Sequence, residues 1–126
     1  MFQIEILPDD YVVCQLDPAE GTPQWPQGVF VSVTRTADEV SIVCCAKGVP
    51  AGVRCERDWR CLRISGKLEF GLIGVLARIT TLLADAQVSV LAISTFDTDY
   101  FLVRKNDVEC AVSALAGGGV EILEES

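Results

Sequence analysis

The chain has 126 residues, half of them hydrophobic, a mean hydropathy of +0.36 and a formal net charge of −8, with a pI near 4.4. It can bury a core as one domain or as two small units sharing one, which excludes a disordered chain. Its negative surface repels phosphate backbones and argues against nucleic acid as a partner, and no apolar run is long enough to span a membrane.

Six cysteines and no histidine are present. A mixed Cys/His zinc site is therefore excluded, and no C-x-x-C motif occurs. Most of the cysteines sit inside apolar, strand-like runs, where Cys behaves as a small hydrophobe. Met1 leads into "FQIEIL" without a signal-peptide pattern, so reduced thiols in the cytoplasm are expected.

In chain order, "FQIEIL" (Phe2 to Leu7) reads as a lone strand, open to edge-to-edge pairing. "DYVVCQL" (Asp10 to Leu16) reads as a second strand. "DPAEGTPQWPQG" follows, with three prolines and two glycines, too broken for more than about one helical turn. "TRTADEVSIV" (Thr34 to Val43) leads to a second short crossover, "AKGVPAGV". Arg54, Arg57, Arg60 and Arg63 read as solvated charges on a loop and a strand. "WRCLRIS" (Trp59 to Ser65) alternates as a strand, and "GKLEFG" is a loop.

Apolar residues at helical spacing predict an amphipathic helix from Ile73 to Ala86. "VSVLAIST" (Val88 to Thr95) predicts a buried strand, and "DYFLVR" (Asp99 to Arg104) its hairpin partner. Asn106 with Glu109 predicts a capping box opening a second helix, with Val108, Val112 and Leu115 buried and "GGG" (Gly117 to Gly119) closing it. "VEIL" (Val120 to Leu123) is a final strand. The order βαββαβ is the ferredoxin-like arrangement, an α+β fold.

The N-terminal half reads as an eroded copy of the C-terminal half. "DYVVCQL" matches "DWRCLRI" at an offset of 48, and "TRTADEVSIV" matches "ISTFDTDYFL" at an offset of 59. The difference, 11 residues, is missing from the first crossover. Two fused units, 1–57 with shortened helices and 58–126 complete, are expected to lie side by side.

"FVSVTRTADEVSIVC", "WRCLRISGKLEFGLIGVLA" and "VSVLAISTFDTDYFLV" together resemble the ACT domain family, and within it the tandem-ACT proteins grouped with CASTOR and the aspartokinase regulatory domains. The resemblance runs from about Leu7 onward and implies a non-catalytic regulatory module that binds an amino acid between ACT units. It implies a homodimer or other homo-oligomer, and no cofactor. It places the ligand against the loop entering the first helix (Glu69 to Gly74) and the strand that follows (Ser94 to Asp99), with a partner strand edge near Ser41 and Ile42. In the arginine-sensing branch that loop carries an acid. Here the aligned position is Leu72, which implies a shorter or neutral side chain on the ligand.

The residues themselves lead to a similar place. Backbone N–H groups of Gly71, Leu72 and Ile73 at a helix start can hold a carboxylate. Asp99 can pair with an ammonium group, Ser94 and Thr95 lie beside it, and Phe70 and Phe96 can form apolar walls. The plainer readings stand beside these. Asp97-Thr98 is most simply a hairpin tip, Asp99 a solvated turn residue, and Phe70 part of the core. Asp97 and Asp99 lack the spacing of a calcium loop, and no nucleophile–base pair is apparent, so neither a metal site nor an enzyme is expected. The competing function is a ligand-free interaction module that pairs through sheet edges or helices.

Overall fold

The computed structural model describes residues 3–65 and 74–124. The strands are β1 Gln3–Ile6, β2 Tyr11–Leu16, β3 Ser32–Arg35, β4 Val40–Cys45, β5 Arg54–Ser65, β6 Leu91–Ser94, β7 Asp99–Arg104 and β8 Glu121–Glu124; the helices are α1 Val75–Asp85 and α2 Val108–Gly117. The chain divides into two compact units, Asp9–Trp59 and Met1–Pro8 with Arg60–Ser126.

The second of these units contains the expected βαββαβ order, from the C-terminal half of β5 through α1, β6, β7 and α2 to β8. One strand is added to it. β1 lies between β5 and β8, antiparallel to the first (Ile4↔Ile64) and parallel to the second (Ile4↔Ile122). The opening strand is thus paired on both sides and is no free edge. It also belongs with the C-terminal half, not with residues 1–57.

The unit's core lies between sheet and helices. Ile4, Leu62, Ile64, Phe101 and Val103 come from strands, Ile79 and Leu83 from α1, and Ala111 and Leu115 from α2. Ile79 and Leu83 are four apart and so share one helical face. Full burial of each contributes roughly 1.5–3 kcal/mol.

Both helices end in the same device. After α2, Gly119 adopts a left-handed φ of +88°, Gly119 N–H donates to Ala116 O and Val120 N–H to Leu115 O. After α1, Gln87 takes the left-handed position (φ +62°), with Gln87 N–H donating to Ala84 O and Val88 N–H to Leu83 O. Both are Schellman caps, and the buried pairs Leu115/Val120 and Leu83/Val88 supply their hydrophobic contact.

Several boundaries differ from expectation. α1 begins at Val75, after a left-handed Gly74. α2 begins at Val108 behind a 3-10 turn, Lys105–Asp107, and no side chain caps it, so the Asn106–Glu109 box does not form. β5 reaches back to Arg54. Arg60 and Arg63 are not free solvated charges: one donates to Leu7 O at 2.9 Å, the other to Glu5 at 2.8 Å. The predicted buried strand Val88 to Thr95 shrinks to the four residues of β6, of which Leu91, Ala92 and Ser94 are exposed.

The Asp9–Trp59 unit has strand order β3-β4-β2-β5, each pair antiparallel. Shifted by 59, the bounds of β3 and β4 become the bounds of β6 and β7. The first crossover holds only a 3-10 turn, Pro18–Glu20, and the second holds turns. With no helix to cover the sheet, Trp25, Val49 and Val53 from the connecting segments pack on Val12, Cys14, Val40, Ile42 and Cys44. The strand residues beneath this thinner cover are smaller than their counterparts: Cys14 for Leu62, Ile42 for Phe101, Cys44 for Val103.

Candidate ligand-binding site

The β6–β7 hairpin turns through Thr95–Thr98. Thr95 N–H donates to Thr98 O at 2.8 Å, and Thr98 N–H donates back to Thr95 Oγ1 at 3.3 Å. The β3–β4 hairpin repeats this turn 59 residues earlier. Thr36 N–H donates to Glu39 O at 2.9 Å, and Glu39 N–H to Thr36 Oγ1 at 3.2 Å. Asp97 occupies the position of Asp38 in this shared scaffold. Asp97 and Thr95 therefore have a sufficient structural role, since the same turn forms in the β3–β4 hairpin.

The residues flanking the turn are not shared. Ser94 opposes Asp99, and the Ser94 hydroxyl donates to the Asp99 carboxylate. In the other hairpin the corresponding pair is Arg35 and Val40. Thr98 also donates from Oγ1 to Ile64 O at 2.6 Å. That bond holds the hairpin tip beside the C-terminal end of β5, where the chain passes into residues 66–73. Because α1 runs back along the sheet from β5 to β6, its N-terminus lies at this same end. A carboxylate held by a hydroxyl beside a helix start can receive an ammonium group, while the helix end attracts a carboxylate.

Of the residues picked out from sequence, Ser94, Thr95, Phe96 and Asp99 come together here. Phe70, Gly71, Leu72 and Ile73 lie outside the described residues. Phe96 is 90% exposed and walls nothing among the described residues. Ser41 and Ile42 lie in the other unit and do not form a strand edge. β4 is paired on both sides there, Ser41 with Gln15 and Thr34, and Ile42 with Cys14 and Val33. The Ile42 side chain is fully buried in that unit's core. The tie from Thr98 to Ile64 was not singled out from the sequence. Its only signal was a Thr in a turn that also holds Asp97 and Asp99.

Comparison with known proteins agrees with this architecture. An ACT domain model matches residues 54–117, and a second model, of an N-terminal domain, matches residues 9–52. A crystal structure of an Agobacterium tumefaciens protein is 36% identical with a TM-score of 0.94, covering 99% of this chain and 94% of that one. Aspartate kinase from Clostridium acetobutylicum shares the fold at 13% identity and a TM-score of 0.66, over 92% of this chain and 33% of the kinase. The rat protein named cytosolic arginine sensor for mTORC1 subunit 1 is 40% identical over 58 residues, which are 45% of this chain and 18% of the sensor. The chain thus spans only a fraction of the sensor and of the kinase. With a family match over half its length and the βαββαβ unit in place, the chain belongs to the ACT domain family.

Proposed function

We propose that this chain is a non-catalytic, cytoplasmic regulatory module that binds a small molecule, most simply an amino acid, at the hairpin end of its complete ACT unit. Asp99, oriented by Ser94, takes the ammonium group, and the segment entering α1 takes the carboxylate. A second copy supplies the ACT unit that closes over the ligand, so binding favours one oligomeric arrangement, which a protein partner can read. The observation that carries this reading is the Ser94–Asp99 pair, present in the β6–β7 hairpin, where the β3–β4 hairpin has Arg35 and Val40. The relative named as an arginine sensor adds support for an amino acid as the class. Leu72 in the entering segment favours a shorter or neutral side chain over arginine.

The test is thermal unfolding against the proteinogenic amino acids at millimolar concentration. A ligand at a hundred times its dissociation constant adds about 2.7 kcal/mol. For 126 residues the unfolding entropy is about 0.26 kcal/mol/K, so the midpoint rises by about 10 °C. A flat response across the panel refutes an amino-acid ligand.

A second reading has its own observation. Val33 on edge strand β3 with Val29 and Val31 just before it, and Leu91 and Phe96 on and beyond edge strand β6, are exposed. Exposed apolar edges are templates for pairing between chains. On this reading the module pairs without any ligand, and its oligomeric state is unchanged across the amino-acid panel.

A further inference from the structure

Cys14 on β2 and Cys55 on β5 stand directly opposite each other, and their sulfurs are 3.0 Å apart. Two thiol sulfurs this close sit within their ordinary contact distance, and directly opposed positions in a ladder have the Cα separation a disulfide needs. The two differ in access. Cys14 is 1% exposed in the core, whereas Cys55 is half-buried, and its thiol also donates to Val53 O at 3.4 Å. Their side chains share the sheet face that carries Val12, Ile42 and Cys44, with Cys55 at the margin of that core. Gln15, Arg54 and Glu56 alternate with them along β2 and β5 and so point to the opposite face.

We infer that Cys14 and Cys55 form a reversible dithiol site whose co-reactant is a small-molecule disulfide that reaches the half-buried Cys55 thiol. The Cys55 thiolate attacks one sulfur of the incoming disulfide. A protein mixed disulfide forms, the incoming S–S bond breaks, and the first small thiol leaves with the electron pair and takes up a proton. Cys14 then loses its proton and attacks the Cys55 sulfur, expelling the second small thiol. Two protein thiols are oxidised to one disulfide, and one small disulfide is reduced to two thiols. The second step is intramolecular, so the burial of Cys14 does not block it. Burial and the neighbouring Cys55 push the Cys14 thiol well above its ordinary value, which keeps it protonated until Cys55 has reacted. Cys110, exposed in the other unit, is not part of this pair.

The test uses the full chain with Cys110→Ser, which leaves five of the six cysteines. The protein is incubated with oxidised glutathione, alkylated, unfolded, digested and mapped. The expected result is one peptide pair linking Cys14 to Cys55, no retained glutathione, a thiol count in denaturant that falls from about five to three, and full reversal by dithiothreitol. Adding Cys14→Ala should halt the reaction with one glutathionyl group on Cys55. Glutathione retained on Cys55 without a link when Cys14 is present, a link between another pair such as Cys14 and Cys44, or five unreacted thiols would each overturn the assignment. The first arm keeps both native side chains, so it does not depend on a core variant folding.

Discussion

Asp99→Ala separates a binding carboxylate from a turn residue. The bond it removes, from the Ser94 hydroxyl, is exposed, so the cost to folding is about 0.5–1.5 kcal/mol, or roughly 2–6 °C in the midpoint. Its effect on binding is larger. A charge-assisted bond between carboxylate and ammonium contributes about 1.5–3 kcal/mol, and losing 2 kcal/mol weakens binding about 30-fold. At a ligand concentration a hundred times the original dissociation constant, the stabilisation then falls from about 2.7 to about 0.9 kcal/mol. The ligand-induced shift accordingly falls from about 10 °C to about 3 °C, each variant measured against its own ligand-free midpoint. Asp97→Ala is the control. Asp97 shares its place with Asp38 in the other hairpin, so its loss should leave the ligand-induced shift intact. If Asp97→Ala abolishes the shift while Asp99→Ala preserves it, the assignment of roles is wrong.

Other expectations rest on single features. Gln87→Gly relieves a left-handed residue that costs roughly 1–2 kcal/mol while adding about 0.5–1 kcal/mol of chain entropy to lose, so urea unfolding should show a net gain of up to about 1.5 kcal/mol. Ile79→Ala opens a cavity in the α1–sheet core and should cost about 2–5 kcal/mol in the same assay. Phe96→Ser removes a side chain that touches little in its own chain, so stability should hold within about 0.5 kcal/mol while any self-association seen in sedimentation weakens. Oxidation of Cys14 and Cys55 closes a loop across a separation of 41 residues and should raise stability by roughly 2–4 kcal/mol. Burial pushes the Cys61 thiol up to about 12 from an ordinary 9.0, and raises Cys14 and Cys44 as well. Above pH 9 the unfolded chain releases these protons and the folded chain holds them. Stability should therefore fall as pH rises from 9 toward 12, by up to about 1.4 kcal/mol per pH unit for Cys61, with the other two thiols adding in the same direction.

The fold was largely legible because its signals are local. The helical spacing of Ile79 and Leu83, the three prolines of the first crossover and the offset of 59 between hairpins each predict structure without long-range information. The misreadings are long-range. Val88 is apolar because it seals the cap of α1, not because it starts a buried strand. Among the described residues β6 has a neighbour on one side only, which no property of its own sequence reveals. The placement of β1 between β5 and β8 depends on pairing across more than a hundred residues. At the site, the hairpin was legible as a turn, but the bond from Thr98 to the backbone of Ile64 required the folded sheet.

The correspondence between the two hairpins also bears on why only one unit holds the candidate site. A turn built on Thr, with its hydroxyl accepting a backbone N–H, survives in both hairpins because it needs only local residues. The position of Asp99 does not survive. In the helix-free unit it is Val40, fully buried and part of the core that Trp25, Val49 and Val53 cover. A carboxylate there would lose its hydration without a paired charge, a cost of several kcal/mol. With two helices gone, that unit has few positions left with which to bury apolar area, and position 40 is committed to packing. The complete unit packs its sheet with α1 and α2, so its hairpin is free to present a carboxylate. On the proposed reading of the first unit as an eroded copy, loss of its helices and loss of a site residue have one physical cause, because the core took over the position that binding would have used.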